Sequence, residues 1–150
     1  MDVILVPVGD DLYGVPIGWV REVLAAPPLT TLVTAPSTVL GLFNLRGEIV
    51  PLLDTSSLLG LRHSGAASFA VVLQTHLGPV GVSATAFPRR VVLDEFLGPS
   101  ELGCAAGNYR VGQQVAVLLD VEAVLDSTTI PALDRMDDDE PRATAFVRHD

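Results

Sequence analysis

Short apolar runs separated by glycine, proline and aspartate recur along the whole chain, and few windows repeat apolar residues at the helical period. In LYGVPIGWV, residues 12–20, bulky side chains alternate with glycine and proline, as in a strand that buries one face. Other runs pair across short turns: VLGLFNLR with EIVPLLD, FAVVLQ with PVGVSATAF, and the two halves of NYRVGQQVAVLLD. About ten short strands and almost no long helix predict an all-β fold of small barrels.

A weak internal repeat indicates two similar halves. VPLLDTSSLL at 50–59 aligns with AVLLDVEAVL at 116–125 when Asp54 is placed on Asp120. In both segments an apolar strand ends at aspartate, the usual helix N-cap, and a short apolar-faced helical turn follows. Each half is therefore expected to close with a strand and a capped helical turn.

The repeat suggests how the chain is divided. We predict a single unit over residues 1–127, with one lobe at 14–65, a second at 66–127, and the N-terminal strand packed between them. The boundary is expected in the small and polar segment RHSGAAS at 62–68. The acidic remainder, 128–150, is interpreted as a solvated extension.

Composition argues against several classes of function. A net charge of -9 would repel phosphate backbones, so nucleic acids are not expected partners. The longest apolar stretches fall well short of the roughly 18 residues that a membrane span needs. MDVILV carries aspartate where a signal peptide would carry lysine or arginine, so we expect a cytoplasmic protein without membrane insertion. The single cysteine, Cys104, is interpreted as a buried structural thiol.

Few residues stand in patterns that catalysis or metal binding needs. GVSAT at 81–85 lacks the second glycine of a nucleophile elbow and lies in a predicted strand, so Ser83 is interpreted as structural. His63, His76 and His149 have no histidine or cysteine neighbour at ligand spacing. We expect no enzyme, no metal and no cofactor. A hydrolase that uses Ser83 with a histidine, and a small-molecule sensor, are the alternatives with less support.

The segment LFNLRGEIVPLLD, residues 42–54, places Arg46, Gly47 and Glu48 side by side between two apolar strands. Glycine supplies the positive backbone angle that a hairpin turn needs. The arginine is either a solvated charge or a guanidinium that a carboxylate holds and presents to a partner. Glu22 in WVREVL is the best candidate for that carboxylate. The residues alone leave the two interpretations about even.

Three segments, YGVPIGWVREVL, VLGLFNLRGEIVPLLDTSSLLGL and VGQQVAVLLDVEAVL, resemble the CheW-like domain of bacterial chemotaxis coupling proteins in order and spacing, from residue 2 to residue 127. The central segment is the most specific: glycine, a short apolar step, Asn-Leu-Arg-Gly, a variable residue, two β-branched residues, proline, two apolar residues and aspartate. The resemblance implies two intertwined five-stranded SH3-like barrels with short helical turns. It also implies a non-catalytic adaptor, or scaffold, associated with receptor arrays at the inner face of the membrane.

The same resemblance implies the partners. They are the regulatory domain of a CheA-type histidine kinase and the cytoplasmic tip of methyl-accepting chemoreceptors. An alternative is a CheW-like module in another two-component pathway, such as surface motility or gene regulation. By motif position, Glu22 and Arg46 resemble a charged pair near the receptor-binding face. The residues that flank this pair are Val20, Gly41, Asn44 and Gly47.

The second lobe departs from the family pattern. Thr85 stands near the place where the family commonly has an aspartate, and the chain adds the segment FPRR after it. Phe87, Arg89 and Arg90 from this segment are predicted to form a second-lobe interface. An equally supported interpretation is that the two arginines are solvated and keep an edge strand from aggregating.

Overall fold

The computed structural model describes residues 1–61 and 65–126, and within them the chain is mostly strand. His63, His149 and the predicted acidic extension lie outside the described residues, as do residues 62–64 at the start of the predicted lobe boundary. The strands are β1 (Asp2–Val8), β2 (Asp11–Pro16), β3 (Val20–Ala25), β4 (Val39–Leu45), β5 (Glu48–Leu53), β6 (Phe69–Thr75), β7 (Gly78–Ala84), β8 (Arg89–Val92), β9 (Phe96–Gly98), β10 (Ala105–Val111) and β11 (Gln114–Leu119). The helical pieces are a 3-10 turn (Ile17–Trp19), α1 (Thr55–Leu58) and α2 (Val121–Asp126).

The strands form two mixed sheets. One has six strands in the order β8-β1-β2-β11-β10-β9, and the other has five in the order β3-β6-β7-β5-β4. Each sheet contains one parallel pair, β2 with β11 and β5 with β7, and its other pairs are antiparallel. The chain starts in the six-stranded sheet, passes through the five-stranded sheet and returns, so the two are interwoven. The predicted all-β fold is confirmed, with one strand more than expected in the first sheet.

The sheets divide the chain differently from the predicted lobes. β6 and β7 pair with β3 and β5, so 69–84 belongs with the first half and not with the second. β1 and β2 both lie in the six-stranded sheet, which β8 to β11 complete. By sheet, the boundary therefore follows residue 84 and does not fall at 62–68. The repeat marks equivalent positions in the two sheets, because each aspartate follows the strand that makes a parallel pair.

The main core lies between the sheets. Buried side chains from both contribute to it, including Val6, Val15 and Leu73, and α2 adds Val124. A separate apolar cluster lies within each sheet's own strands. In β1, Val3 and Leu5 belong to one cluster while Ile4, Val6 and Val8 belong to the other. Strands that are buried on both faces read as continuous apolar runs, which explains VILVPV.

The two predicted aspartate caps differ in what they bind. Asp120 Oδ1 accepts a hydrogen bond from the Ala123 amide at 3.2 Å, so it caps α2 as predicted. Asp54 occupies the N-cap position of α1 but bonds no backbone amide there. Its carboxylate instead accepts from the hydroxyls of Ser56, at 2.9 Å, and Ser57, at 2.8 Å.

A buried serine and threonine connect α1 to β7. The Thr55 amide donates to Ser83 Oγ at 3.0 Å, and Thr55 Oγ1 donates to the Ser83 carbonyl at 2.6 Å. Ser83 thus serves the start of α1, and its predicted structural role is confirmed. Cys104 packs against the main core and is half-buried, so it is less enclosed than the predicted buried thiol.

Candidate functional site

A two-residue turn, Arg46-Gly47, joins β4 to β5. The φ angles are 51° at Arg46 and 91° at Gly47, and a type I′ turn needs positive values at both positions. Among the described residues, Arg46 is the only non-glycine with positive φ. The Gly47 amide donates to Asn44 Oδ1 at 2.9 Å, which closes the turn. The predicted need for Gly47 is confirmed, and the left-handed arginine before it was not foreseen.

Glu22 holds the Arg46 guanidinium. Nη1 donates to Oε2 at 3.3 Å, and Nη2 donates to Oε1 in a shorter contact. The predicted pair is therefore present. The hydrogen bond from Arg46 lowers the pKa of Glu22, and the same bond raises the pKa of Arg46. The Arg46 side chain is still 63% exposed, against 24% for Glu22, so the guanidinium is fixed and remains accessible.

A second ion pair lies beside the first. Arg21 Nη2 donates to Glu48 Oε1 at 2.9 Å, and Nη1 approaches Oε2 at 3.3 Å. Arg21 Nε also lies 3.9 Å from Glu22 Oε1, which links the two pairs. Sequence reasoning missed this pair, although Arg21 precedes Glu22 and Glu48 follows the turn. We call Arg21, Glu22, Arg46 and Glu48 the charge cluster.

A β-bulge explains why two consecutive residues reach the same hairpin. On a regular strand Arg21 and Glu22 would point to opposite faces. The pairing of β3 with β6 shifts between Val20, opposite Leu73, and Glu22, opposite Val72, so Arg21 is the extra residue. β3 and β4 stand at opposite ends of the five-stranded sheet. The charge cluster therefore connects the two ends of that sheet through side chains.

Two other predicted residues have packing roles. Val20 is half-buried against the main core. A Cβ on Gly41 would lie 2.9 Å from Leu29 Cβ and 3.0 Å from the Thr30 carbonyl oxygen. Thr30 and Leu42 exchange two backbone hydrogen bonds of 2.8 Å, which seat the loop against β4. Gly41 is the residue that permits this close approach.

An open groove of about 380 Å³ borders the turn. Its lining combines apolar and polar residues: Pro27, Pro28, Leu29, Thr30, Leu42, Phe43 and Asn44. Asn44 belongs both to this groove and to the turn, because its side chain bonds Gly47. The groove and the charge cluster are thus neighbouring parts of one surface.

The predicted second-lobe residues lie elsewhere. Phe87 is 66% exposed and contacts Phe69 edge to face, with ring centroids 5.4 Å apart. Arg89 and Arg90 are exposed on β8, an edge strand of the six-stranded sheet. Arg90 Nη2 lies 3.2 Å from Asp2 Oδ1. These residues do not join the charge cluster, so the chain has two separate candidate surfaces.

Thr85 connects the two sheets. Its amide donates to the Pro7 carbonyl at 2.9 Å, and its hydroxyl accepts from the Gly9 amide at 2.9 Å. Thr85 therefore links the end of β7 to the β1–β2 turn.

The enclosed cavity beneath the two helices is too small for a ligand, and the described residues contain no cluster of metal ligands. A cavity of about 20 Å³ lies beneath the two helices and is lined almost wholly by aliphatic side chains such as Val82, Leu119 and Leu125. Ligand pockets usually measure about 300–1,000 Å³, so this cavity cannot hold a ligand without rearrangement. Across 1–61 and 65–126, no three potential metal ligands cluster. No helix in those ranges has the length and apolar character to cross a membrane.

The fold and the site define a small all-β module whose distinguishing surface is a fixed, charged turn beside a groove. The model of the CheW-like domain matches residues 2–129. The chain belongs to the CheW-like domain family, which confirms the resemblance seen in the three segments. The chain is therefore one of the CheW-like proteins of chemotaxis-type signal transduction.

Individual relatives agree with the family match. The chain is 28% identical over 131 residues to a probable chemotaxis protein CheW of Rhizobium etli, covering 81% of this chain and 84% of that protein. It is 34% identical over 109 residues to protein FrzA of Myxococcus xanthus, covering 70% and 68%. The crystal structure of the scaffolding protein TtCheW from Thermoanaerobacter tengcongensis matches with a TM-score of 0.68 at 20% identity, over 79% of this chain and 82% of that chain. That structure has the same fold.

Proposed function

We propose that this chain is a non-catalytic adaptor that couples methyl-accepting chemoreceptors to a CheA-type histidine kinase, in arrays at the cytoplasmic face of the membrane. Family membership supports the chemotaxis-type role. The observation that carries the site assignment is Arg46, an accessible guanidinium held by Glu22 on a left-handed turn residue.

The backbone at Arg46 supports a role beyond closing the turn. Asparagine or glycine would adopt the left-handed conformation at lower cost, so arginine is a poor choice for the turn itself. Strained positions of this kind concentrate at functional sites. Arginine has five N–H donors, and Glu22 occupies only part of them. The free donors can bind carbonyl or carboxylate oxygens of a partner.

We propose that the receptor tip binds across the charge cluster and the adjoining groove. Exposed Leu29 gives the groove an apolar contact, while Asn44 and Arg46 give its border polar contacts. An amphipathic helix laid in a groove combines these two kinds of contact. Val20 and Gly41 then contribute indirectly, because Val20 packs β3 against the core and Gly41 lets the loop approach β4.

The kinase would occupy a different surface. Arg89 and Arg90 are exposed on β8 of the other sheet, and Phe87 is exposed just before that strand. An adaptor that holds two partners at once needs two surfaces that do not overlap. This segment supplies an aromatic anchor and two cations, both of which are common in protein interfaces.

Arg46→Glu tests the receptor surface. The variant places a third carboxylate beside Glu22 and Glu48, so it should remain folded and lose binding to a receptor cytoplasmic hairpin in calorimetric titration. Arg110→Glu is the matched control, because Arg110 is also exposed and bonds Glu95 at 2.6 Å in the other sheet. A folded Arg46→Glu variant that binds the receptor as tightly as wild type would refute the assignment.

Arg90→Glu tests the kinase surface in the same way. We expect weaker binding to the regulatory domain of the histidine kinase encoded nearest to this gene, with receptor binding unchanged. The similarity to FrzA supports a second candidate, a CheW-like module in another two-component pathway. If wild type binds no CheA-type kinase but does bind a kinase from another pathway, the second candidate is correct.

A further inference from the structure

The pair Arg21–Glu48 was not among the site residues that the family motif indicates. Glu48 stands at the variable position that follows Asn-Leu-Arg-Gly. The pair nevertheless makes contacts at 2.9 and 3.3 Å, and Arg21 Nη1 also lies 3.4 Å from Gln74 Oε1 on β6. Arg21 is thereby held between the sheet and the turn.

We propose that Arg21 and Glu48 are positioning residues that fix the Arg46 guanidinium by attaching the far side of the turn to the bulge of β3. Arg46 and Glu48 flank Gly47, and each bonds one of two consecutive residues on β3. The Arg46–Glu22 pair alone would attach the turn to β3 on one side of Gly47 only. Two adjacent pairs restrict rotation of the turn. The consequence for receptor binding rests on the proposed function.

Exposure shows which charges a partner meets. The two residues on β3 are the less exposed, at 28% for Arg21 and 24% for Glu22. The two beside the turn are the more exposed, at 63% for Arg46 and 47% for Glu48. The partner therefore meets one cation and one anion on either side of Gly47. The β3 residues hold both from behind.

The balance of positive and negative side chains in the charge cluster favours a partner that contacts each charge individually. Two arginines and two glutamates sum to zero, so the cluster exerts little net attraction at long range. Binding then requires that the partner place a complementary group opposite each charge. Isolated exposed ion pairs add little to stability, so the pair is expected to affect the geometry of the turn more than the melting temperature.

The Gly47 amide reports this geometry without any partner, because it is bonded to Asn44 at the tip. Hydrogen exchange at Gly47 would be measured by NMR in Arg21→Gln, Glu48→Gln and the double variant. We expect each single variant to raise the exchange rate by about threefold or more, and the double variant to add little, since both break one interaction. Glu95→Gln, which breaks the exposed pair with Arg110, should leave Gly47 unchanged.

Titration with the receptor hairpin completes the test. Each single variant should weaken receptor binding by about three- to tenfold, and leave kinase binding unchanged. Unchanged exchange at Gly47 in both single variants overturns the proposal. Faster exchange with unaltered receptor binding also overturns it, provided that Arg46→Glu has lost that binding. A wild-type chain that binds no receptor overturns the proposed function instead, and the exchange data then decide the positioning role alone.

Discussion

Gly41→Ala is the substitution that most directly tests how the groove is built. The added Cβ would lie 2.9 Å from Leu29 Cβ and 3.0 Å from the Thr30 carbonyl oxygen. The first of these atoms is attached to the backbone and the second is part of it, so a rotamer change relieves neither contact. Either the loop moves away from β4, or β4 itself is displaced.

The structure sets the size of the effect. Displacing the loop breaks two backbone hydrogen bonds of 2.8 Å between Thr30 and Leu42, each with a net value of about 1 kcal/mol. Retaining the loop means an overpacked contact, which typically costs about 1–3 kcal/mol. Both routes predict a loss of about 1–3 kcal/mol in the free energy of unfolding. In a domain of this size the melting temperature would fall by roughly 3–10 °C.

Urea unfolding followed by circular dichroism measures this loss directly. Gly18→Ala is the matched control, because a Cβ at Gly18 has no atom within 4 Å. We expect that control to be neutral, or stabilising by less than about 1 kcal/mol. Gly41→Ala should also weaken receptor binding, since the displaced loop lines the groove. If Gly41→Ala stays within about 0.5 kcal/mol of wild type, the close contact is not what requires glycine there.

Three further predictions concern single side chains. Ser83→Ala leaves the buried Thr55 amide without its acceptor and should cost about 1–3 kcal/mol in urea unfolding; labelling of wild-type Ser83 by an active-serine probe would contradict its structural role. Asp120→Ala removes the cap of α2 and should cost about 0.5–2 kcal/mol in the same assay. The lowered pKa of Glu22 means that its pair with Arg46 stabilises the fold above the unfolded-state pKa, and that this contribution disappears as pH falls through the folded value. A carboxyl NMR titration should show a low Glu22 midpoint that rises in Arg46→Ala, and equal midpoints would contradict the pairing.

Much of the local structure could be predicted from the sequence because short-range rules govern it. Gly47 marks the turn, since a two-residue hairpin needs a positive backbone angle there. Asp120 marks the start of α2, because a side chain next to a helix start can bond its first amides. The partnership of Glu22 with Arg46 was inferred from the strand pattern and the family motif, and the structure contains it.

The arrangement of the strands depended on pairings between distant segments. β6 and β7 join the five-stranded sheet although the predicted boundary placed them in the second lobe. Alternation along a strand shows which residues share a face, but it does not name the neighbouring strand. β1 is buried on both faces, so its apolar run was compatible with more than one position in the fold.

Pairing between distant segments also separates the parts of the site that the sequence determined from the parts that only the tertiary structure decided. The sequence by itself determined the turn, its glycine and the charges on either side of it. Regular alternation would send Arg21 and Glu22 to opposite faces, and only the pairing of β3 with β6 creates the bulge that turns both toward the hairpin. The role of Gly41 likewise depends on a loop that folds back on β4. Contacts between segments far apart in the chain are set by packing, and packing has no signature in the order of neighbouring residues.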